Sequence, residues 1–190
     1  RRADCLAARP FPDVRSLNVT RQLSVFINGF GRIGRTLLRQ ILQNESQPAV
    51  KVVGINDIAP LETCAYLLRY DSVFGPLPLQ VETGDRQMII GGRPIPFTCE
   101  PDLRALDLRG VDVVLECTGK VRDRDFAEAG IDAGASNILI SGPSEVADKT
   151  VVLGANEQDL GDARIVAVAG EGRGRHQRRR FPALERARAG

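Results

Sequence analysis

The sequence predicts a doubly wound α/β fold, a mostly parallel sheet with helices packed on both faces. Three observations predict it. Apolar runs of strand length alternate with runs of helical period from residue 22 to residue 170. Strands such as VDVVLEC, over 111–117, are apolar almost throughout, as a strand covered on both faces requires. The first strand-to-helix turn carries three glycines in six positions, Gly29-Phe30-Gly31-Arg32-Ile33-Gly34.

The elements follow in chain order. Val25–Asn28 is a β-branched and aromatic run stopped by Gly29, which predicts the first strand. Beyond the glycines, Ile33, Leu37, Leu38, Ile41 and Leu42 recur at helical spacing and predict a helix over Arg32–Gln43. A second strand is expected over Val50–Asn56, and a helix over Leu61–Tyr70 with Leu61, Ala65 and Leu68 on one face. Residues 80–98 predict short strands joined at Gly84-Asp85 and Gly91-Gly92. The second half predicts strands over Val111–Cys117, Asn137–Ser141, Val151–Leu153 and Ile165–Val168, with a helix over Asp123–Ala133.

The chain of 190 residues supplies one domain with tails. The domain is expected over 22–170, preceded by an extension at 1–21 and followed by an Arg-rich segment at 171–190. Neither flank has a helix or strand period, and both are expected to be disordered. Net charge divides along the same lines. The extension has five arginines against two aspartates, the last segment seven against two glutamates, and the domain between them sums to −6 although the whole chain is +2. A basic surface for nucleic acid would have to lie in the flanks, where arginines without interleaved aromatics read as solvated, so no nucleic-acid partner is expected. No apolar stretch approaches the ~18 residues of a membrane span. Cys5, Cys64, Cys99 and Cys117 form no C-x-x-C pair, and with a single histidine the chain is poorly supplied for a metal site. Reduced thiols and a cytoplasmic location are expected.

The glycines have a mechanical reading in this setting. The first permits a tight turn, the second lets backbone approach a pyrophosphate, and the third lets the helix pack on the strand. The helix N-terminus then offers N–H groups to an anion. The second strand ends at Asn56-Asp57, with Asp57 placed 23 residues after Gly34, where a carboxylate can accept ribose hydroxyls. This is a Rossmann-type dinucleotide-binding pattern. Because Ile58 brings no donor to compensate a 2′-phosphate beside Asp57, NAD is expected to be preferred to its 2′-phosphorylated relative.

INGFGRIGR at 27–35, INDI at 55–58, YLLRYDSVFG at 66–75, ECTG at 116–119 and ISGPS at 140–144 resemble phosphorylating glyceraldehyde-3-phosphate dehydrogenases, in the same order, over residues 24–166. The resemblance implies an NAD-dependent oxidation of an aldehyde phosphate through a cysteine thioester. It implies that the loop Gly29, Phe30, Gly31, Arg32, Ile33 and Gly34 meets the cofactor, with Arg32 and Ile33 at the pyrophosphate. Asp57 would lie at the ribose and Thr118, Gly119 and Ser141 beside the nicotinamide, while the Tyr70-Asp71-Ser72 segment would serve packing in a homotetramer.

The departures from that pattern matter as much. Many members carry Arg before an Asp-Pro pair after the adenine-side strand, where this chain reads Cys99-Glu100-Pro101-Asp102. Counted without gaps, Glu171 falls where the family's nucleophilic cysteine belongs, and His176 is not at the base's position. A change of reading frame near 167–171 is expected, and with it a chain that binds NAD at best weakly and is catalytically inactive, with no catalytic residue assigned. Two alternatives stand beside this reading. One is a sibling acting on another aldehyde phosphate such as erythrose 4-phosphate, against which Asp57 argues because the sibling carries Glu there. The other is a non-enzymic NAD-binding or interaction module.

Overall fold

The computed structural model describes residues 21–43, 50–152 and 155–169. Strand β1 (Leu23–Asn28) stops at Gly29, and α1 (Arg32–Gln43) starts two residues beyond that turn. Next come β2 (Val50–Asn56), α2 (Leu61–Arg69) and the two-residue strands β3 (Tyr70–Asp71) and β4 (Gly75–Pro76). A meander of β5 (Val81–Gly84), β6 (Gln87–Ile90) and β7 (Arg93–Thr98) completes the first half. The second half runs through β8 (Val113–Glu116), α3 (Arg124–Asp132), β9 (Asn137–Ile140), β10 (Lys149–Val151) and β11 (Ile165–Val168).

Nine of these strands form one sheet in the order β10-β11-β9-β8-β1-β2-β7-β6-β5. It is parallel from β10 to β7 and antiparallel only across the β7-β6-β5 edge. This is a Rossmann-type α/β architecture. The chain grows from β1 to β2 and the meander on one side, then returns to lay β8 against the other side of β1. Strand order therefore reverses at β1, and in open α/β sheets ligands bind beyond the carboxyl ends of the strands at such a reversal.

Apolar residues cover both faces of the sheet, as the nearly all-apolar strands predict. Val25 and Ile27 of β1 point to one side with Leu38, Ile55 and Leu68. Phe26 points to the other with Val114, Ile138 and Ile165. Burying one such Leu or Ile side chain is worth about 1.5–3 kcal/mol, so the two apolar layers fix which side of β1 each helix covers.

Several element ends differ from expectation, each for a tertiary reason. β8 is confined to Val113–Glu116, because Val111 N–H closes a turn onto the Leu108 carbonyl and Asp112 N–H bonds the Ser24 carbonyl. α2 stops at Arg69 because Tyr70 pairs with Pro76 around a turn that Asp71 holds, its carboxylate accepting from Val73 and Phe74 N–H at 2.8 and 3.0 Å. Asp123 caps α3, accepting from Phe126 N–H at 2.8 Å, and Ala133 is the residue at the other end. β9 ends at Ile140, one residue before the expected Ser141, whose N–H makes the last bond to β8 at the Glu116 carbonyl, 2.9 Å away. β10 lies at Lys149–Val151, earlier than the expected 151–153, and its Thr150 carbonyl and the Val152 N–H that follows are held by the Asn156 side chain. Arg21 is the first described residue, and its guanidinium pairs with Asp112. The expectations for the rest of the extension, for Glu171, for His176 and for the whole segment 171–190 fall outside the described residues. Among the described residues no helix is long and apolar enough to cross a membrane.

Candidate functional site

Of the ten residues singled out by sequence, seven lie on the segments that leave the carboxyl ends of β1, β2, β8 and β9, and Arg32, Ile33 and Gly34 form the first turn of α1 that follows β1. Gly29 turns with φ +90°. A Cβ on it would sit 2.6 Å from Thr118 N and 2.7 Å from the Cys117 carbonyl carbon, so the loop after β1 and the loop after β8 touch through this glycine. A Cβ on Gly34 would lie 2.2 Å from the Gly29 carbonyl oxygen and 3.2 Å from Ile27 Cγ2, so α1 presses directly against its own entry turn. Gly31 differs from both, because a Cβ there would find no heavy atom within 4 Å. Its outward face is open.

Gly31 also marks the start of α1. Arg35 N–H closes on the Gly31 carbonyl at 3.1 Å, so the N–H groups of the preceding turn have no carbonyl of the helix to accept them. That first turn contains no acidic residue. Arg32 and Ile33 project there, both exposed, and an open backbone face beside a helix N-terminus is the cradle a dinucleotide pyrophosphate takes. Phe30 contributes differently from its neighbours. Its ring is buried in the core at 1% exposure, and its N–H donates to Asp57 Oδ2 at 2.5 Å.

Asp57, just past β2, is only half-buried and accepts a second hydrogen bond, at Oδ1, from Ala59 N–H at 2.8 Å. Its carboxylate thus braces the glycine turn. Each oxygen keeps further acceptor capacity, which two vicinal hydroxyls can use. Arg35 supports the same turn from behind, donating from Nη1 to the Phe30 carbonyl at 2.9 Å.

On the other side of β1 the loop after β8 presents Thr118, half-buried, and Gly119, exposed with φ +67°. Ser141 joins them from the end of β9, its N–H on the Glu116 carbonyl and its hydroxyl bonded to the Cys117 thiol. Burial pushes the Cys117 thiol up to about 11, with the neighbouring Glu116 charge adding to the rise and the Ser141 bond opposing it. Cys64, on α2, is pushed up to about 12, first by burial and then by Asp57. Cys99 is exposed just past β7, its thiol 3.6 Å from the Ala59 carbonyl. Buried, protonated thiols are poor nucleophiles. Among the described residues no three His, Cys, Asp or Glu side chains gather as a metal site.

Sequence reasoning missed the polar residues beneath these loops. Asn28, Asn56 and Glu116 end β1, β2 and β8 and are 4%, 3% and 3% exposed. The only sequence signal is compositional, an acid inside an apolar run and two asparagines closing strands. A roomier hollow of about 730 Å³ lies between α3 and the 159–164 turn, at the opposite, amino-terminal edge of the sheet. Among the residues that line it, Arg124 pairs with Glu128 and Asp148, and Asp148 accepts from the N–H groups of Arg164 and Ile165.

Residues 23–124 match the family model described as the NAD binding domain of glyceraldehyde 3-phosphate dehydrogenase. Glyceraldehyde-3-phosphate dehydrogenase of Xanthobacter flavus is 42% identical over 146 residues, which cover 76% of this chain and 43% of that protein. The Thermotoga maritima protein of the same name is 44% identical over 138 residues, covering 72% and 41% respectively. That of Geobacillus stearothermophilus is 39% identical over 137 residues, 71% of this chain and 40% of that protein. The chain spans about two fifths of the length of the curated relatives it matches.

Proposed function

Because this chain belongs to the glyceraldehyde-3-phosphate dehydrogenase family through its NAD-binding domain, we propose that the crevice at the reversal of strand order holds NAD in one orientation. The pyrophosphate lies over Gly29, Gly31, Arg32 and Ile33, the adenosine ribose on Asp57, and the nicotinamide beside Thr118, Gly119 and Ser141. The domain doing this is the 22–170 segment. The observation that carries the reading is the contrast among the glycines, since Gly29 and Gly34 face backbone while Gly31 faces open space. Asp57 sets the choice of dinucleotide. A 2′-phosphate there would confront a carboxylate, and like charges forced together cost several kcal/mol.

NAD supplies a hydride acceptor when bound. The parent activity we propose is the oxidation of an aldehyde phosphate, carried out in the cytoplasm by a homotetramer. The exposed Tyr70, Val73 and Phe74 support subunit packing at the β3-β4 turn. This chain itself binds the cofactor without turning over substrate. Of its described thiols, Cys117 stands nearest Thr118, and its thiol is held protonated.

The test is calorimetric titration of the purified chain with NAD and with NADP. NAD is expected to bind at least tenfold tighter, and Asp57→Ala to narrow that gap. Equal dissociation constants for the two dinucleotides would refute the assignment of Asp57.

A further inference from the structure

Two chains of hydrogen bonds converge on Glu116 from opposite ends of the crevice. One starts on the adenosine side, at a donor that cannot be reversed. Glu100 N–H donates to Asn56 Oδ1 at 2.9 Å, and the Thr98 hydroxyl donates to the same oxygen at 2.8 Å. The oxygen of Asn56 is thereby identified, so its amide nitrogen is the atom that donates to Asn28 Oδ1, at 2.9 Å, and to the Glu100 carbonyl, at 2.8 Å. Asn28 is oriented in turn, and its Nδ2 donates to Glu116 Oε2 at 2.5 Å. The second chain is short. Thr118 N–H, again a donor that cannot be reversed, meets Glu116 Oε1 at 2.9 Å, and the Thr118 hydroxyl bonds the same oxygen.

Both oxygens of the Glu116 side chain must therefore accept. A carboxylate does so, whereas a carboxamide offers one acceptor and one donor. Turned one way, a Gln at this position would face its NH2 to Asn28 Nδ2; turned the other, to Thr118 N–H. With the site 3% exposed, little water is at hand to absorb the mismatch. The side chain also supplies the join between the strand that carries the adenosine-side residues and the loop that carries Thr118 and Gly119.

We propose that Glu116 is a positioning residue for the dinucleotide, holding the Thr118–Gly119 loop in the place that receives the nicotinamide half by accepting from both chains at once. The proposal rests on the assignment of the crevice to NAD. It predicts a split between the two halves of the ligand. AMP occupies only the adenosine half and should not feel the loss, whereas NAD spans both.

The experiment measures binding of AMP and of NAD by the full chain and three variants. For Glu116→Gln, NAD affinity is expected to fall about tenfold, or about 1.4 kcal/mol, with AMP affinity unchanged within about twofold. Asn28→Asp alone sets two carboxylates against each other and is expected to fall at least as far for NAD. The double variant Asn28→Asp/Glu116→Gln moves the acceptor-only group one position along the chain. Asp at 28 then accepts from both Asn56 and the Gln amide, whose carbonyl accepts from Thr118, and NAD binding is expected to return to within about threefold of wild type. Retained AMP binding certifies that each variant is folded. Equal losses of AMP and NAD, or a double variant no better than either single one, would overturn the proposal. Wild-type chain that takes up neither ligand would overturn instead the cofactor assignment beneath it.

Discussion

Replacing Gly34 by alanine sets two sizeable effects against each other, and the structure decides the sign. Gly34 lies in the first turn of α1, where alanine is the better helix former by about 0.8–1 kcal/mol. Its Cβ, however, would come within 2.2 Å of the Gly29 carbonyl oxygen and 3.2 Å of Ile27 Cγ2, with Ile27 fully buried near the end of β1. The nearer atom is backbone, so relief requires moving the helix or the turn. Overpacking of this kind costs about 1–3 kcal/mol, and with backbone as the obstacle the upper half of that range applies. The net loss of about 1–2 kcal/mol corresponds to a melting midpoint lowered by about 2–8 °C in a domain of this size. Gly31→Ala is the control. No atom lies within 4 Å of its Cβ, its φ is not positive, and the change from glycine to alanine at a helix start costs only a few tenths of a kcal/mol to about 1. Its midpoint should move by less than about 4 °C while NAD affinity falls at least tenfold, because the methyl would occupy the open face proposed to take the pyrophosphate. Thermal melts of both variants, with titration of NAD, give the answer. A Gly34→Ala chain melting at or above wild type would refute the steric reasoning, and a Gly31→Ala chain that keeps its NAD affinity would refute the open-face reading.

Three further outcomes follow from the side chains. Among the described thiols, exposed Cys99 should be modified by a maleimide in the folded chain, while Cys64 and Cys117, pushed up to about 12 and about 11 by burial, stay unmodified until the chain unfolds. The same shifts work on stability. Between pH 9 and 11 the unfolded chain loses thiol protons that the folded chain keeps, so the melting midpoint should fall across that window, and a flat profile would count against it. Asp148 takes N–H donors from Ile165 at 2.8 Å and Arg164 at 3.0 Å besides the Arg124 guanidinium at 2.6 Å, with the Ile165 bond doing most to hold its carboxyl below the ordinary 3.8. Asp148→Ala should cost about 1–2 kcal/mol by leaving two N–H groups without that acceptor. The stability Asp148 gives is present above the ordinary carboxylate value and lost as pH falls through the lower folded one, so the variant should melt with a shallower acid limb; an unchanged limb in chemical denaturation at pH 3–5 would refute this.

What could be read from the sequence divides by how far each residue's partners lie along the chain. The glycine turn was legible because its requirements are local. Gly34 meets atoms of its own strand and turn, and a tight turn followed by a packed helix leaves the same spacing wherever it occurs, whereas the approach of Gly29 to Cys117 and Thr118 leaves no local trace. The α1, β2 and β11 ranges were legible for the same reason, since their periods run unbroken to a glycine or a polar stop. The end of α2 was not, because Tyr70 continues a helical pattern and is drawn out of it by pairing with Pro76 across the turn. Glu116 was harder still. Its Asn28 partner is 88 residues away, and nothing near VVLEC says which donors will surround an acid at that strand end.

Asp57 lies between these cases. Its position at the end of the second strand marks it for a ribose, yet the structure has it accepting from Phe30 N–H, 27 residues back, and from Ala59 N–H. The carboxylate that would select the dinucleotide is also one of the groups that holds the glycine turn in shape. Selectivity and loop geometry are therefore coupled through one side chain. A variant such as Asp57→Asn loses one backbone acceptor when its amide nitrogen turns toward Phe30 or Ala59, so part of any loss of NAD affinity arises in the loop, before a ribose hydroxyl is met. The two parts separate by ligand. Loosening of the turn weakens NAD and NADP alike, whereas removal of the charge changes only their ratio, and it is that ratio which reports the carboxylate's part in choosing the dinucleotide.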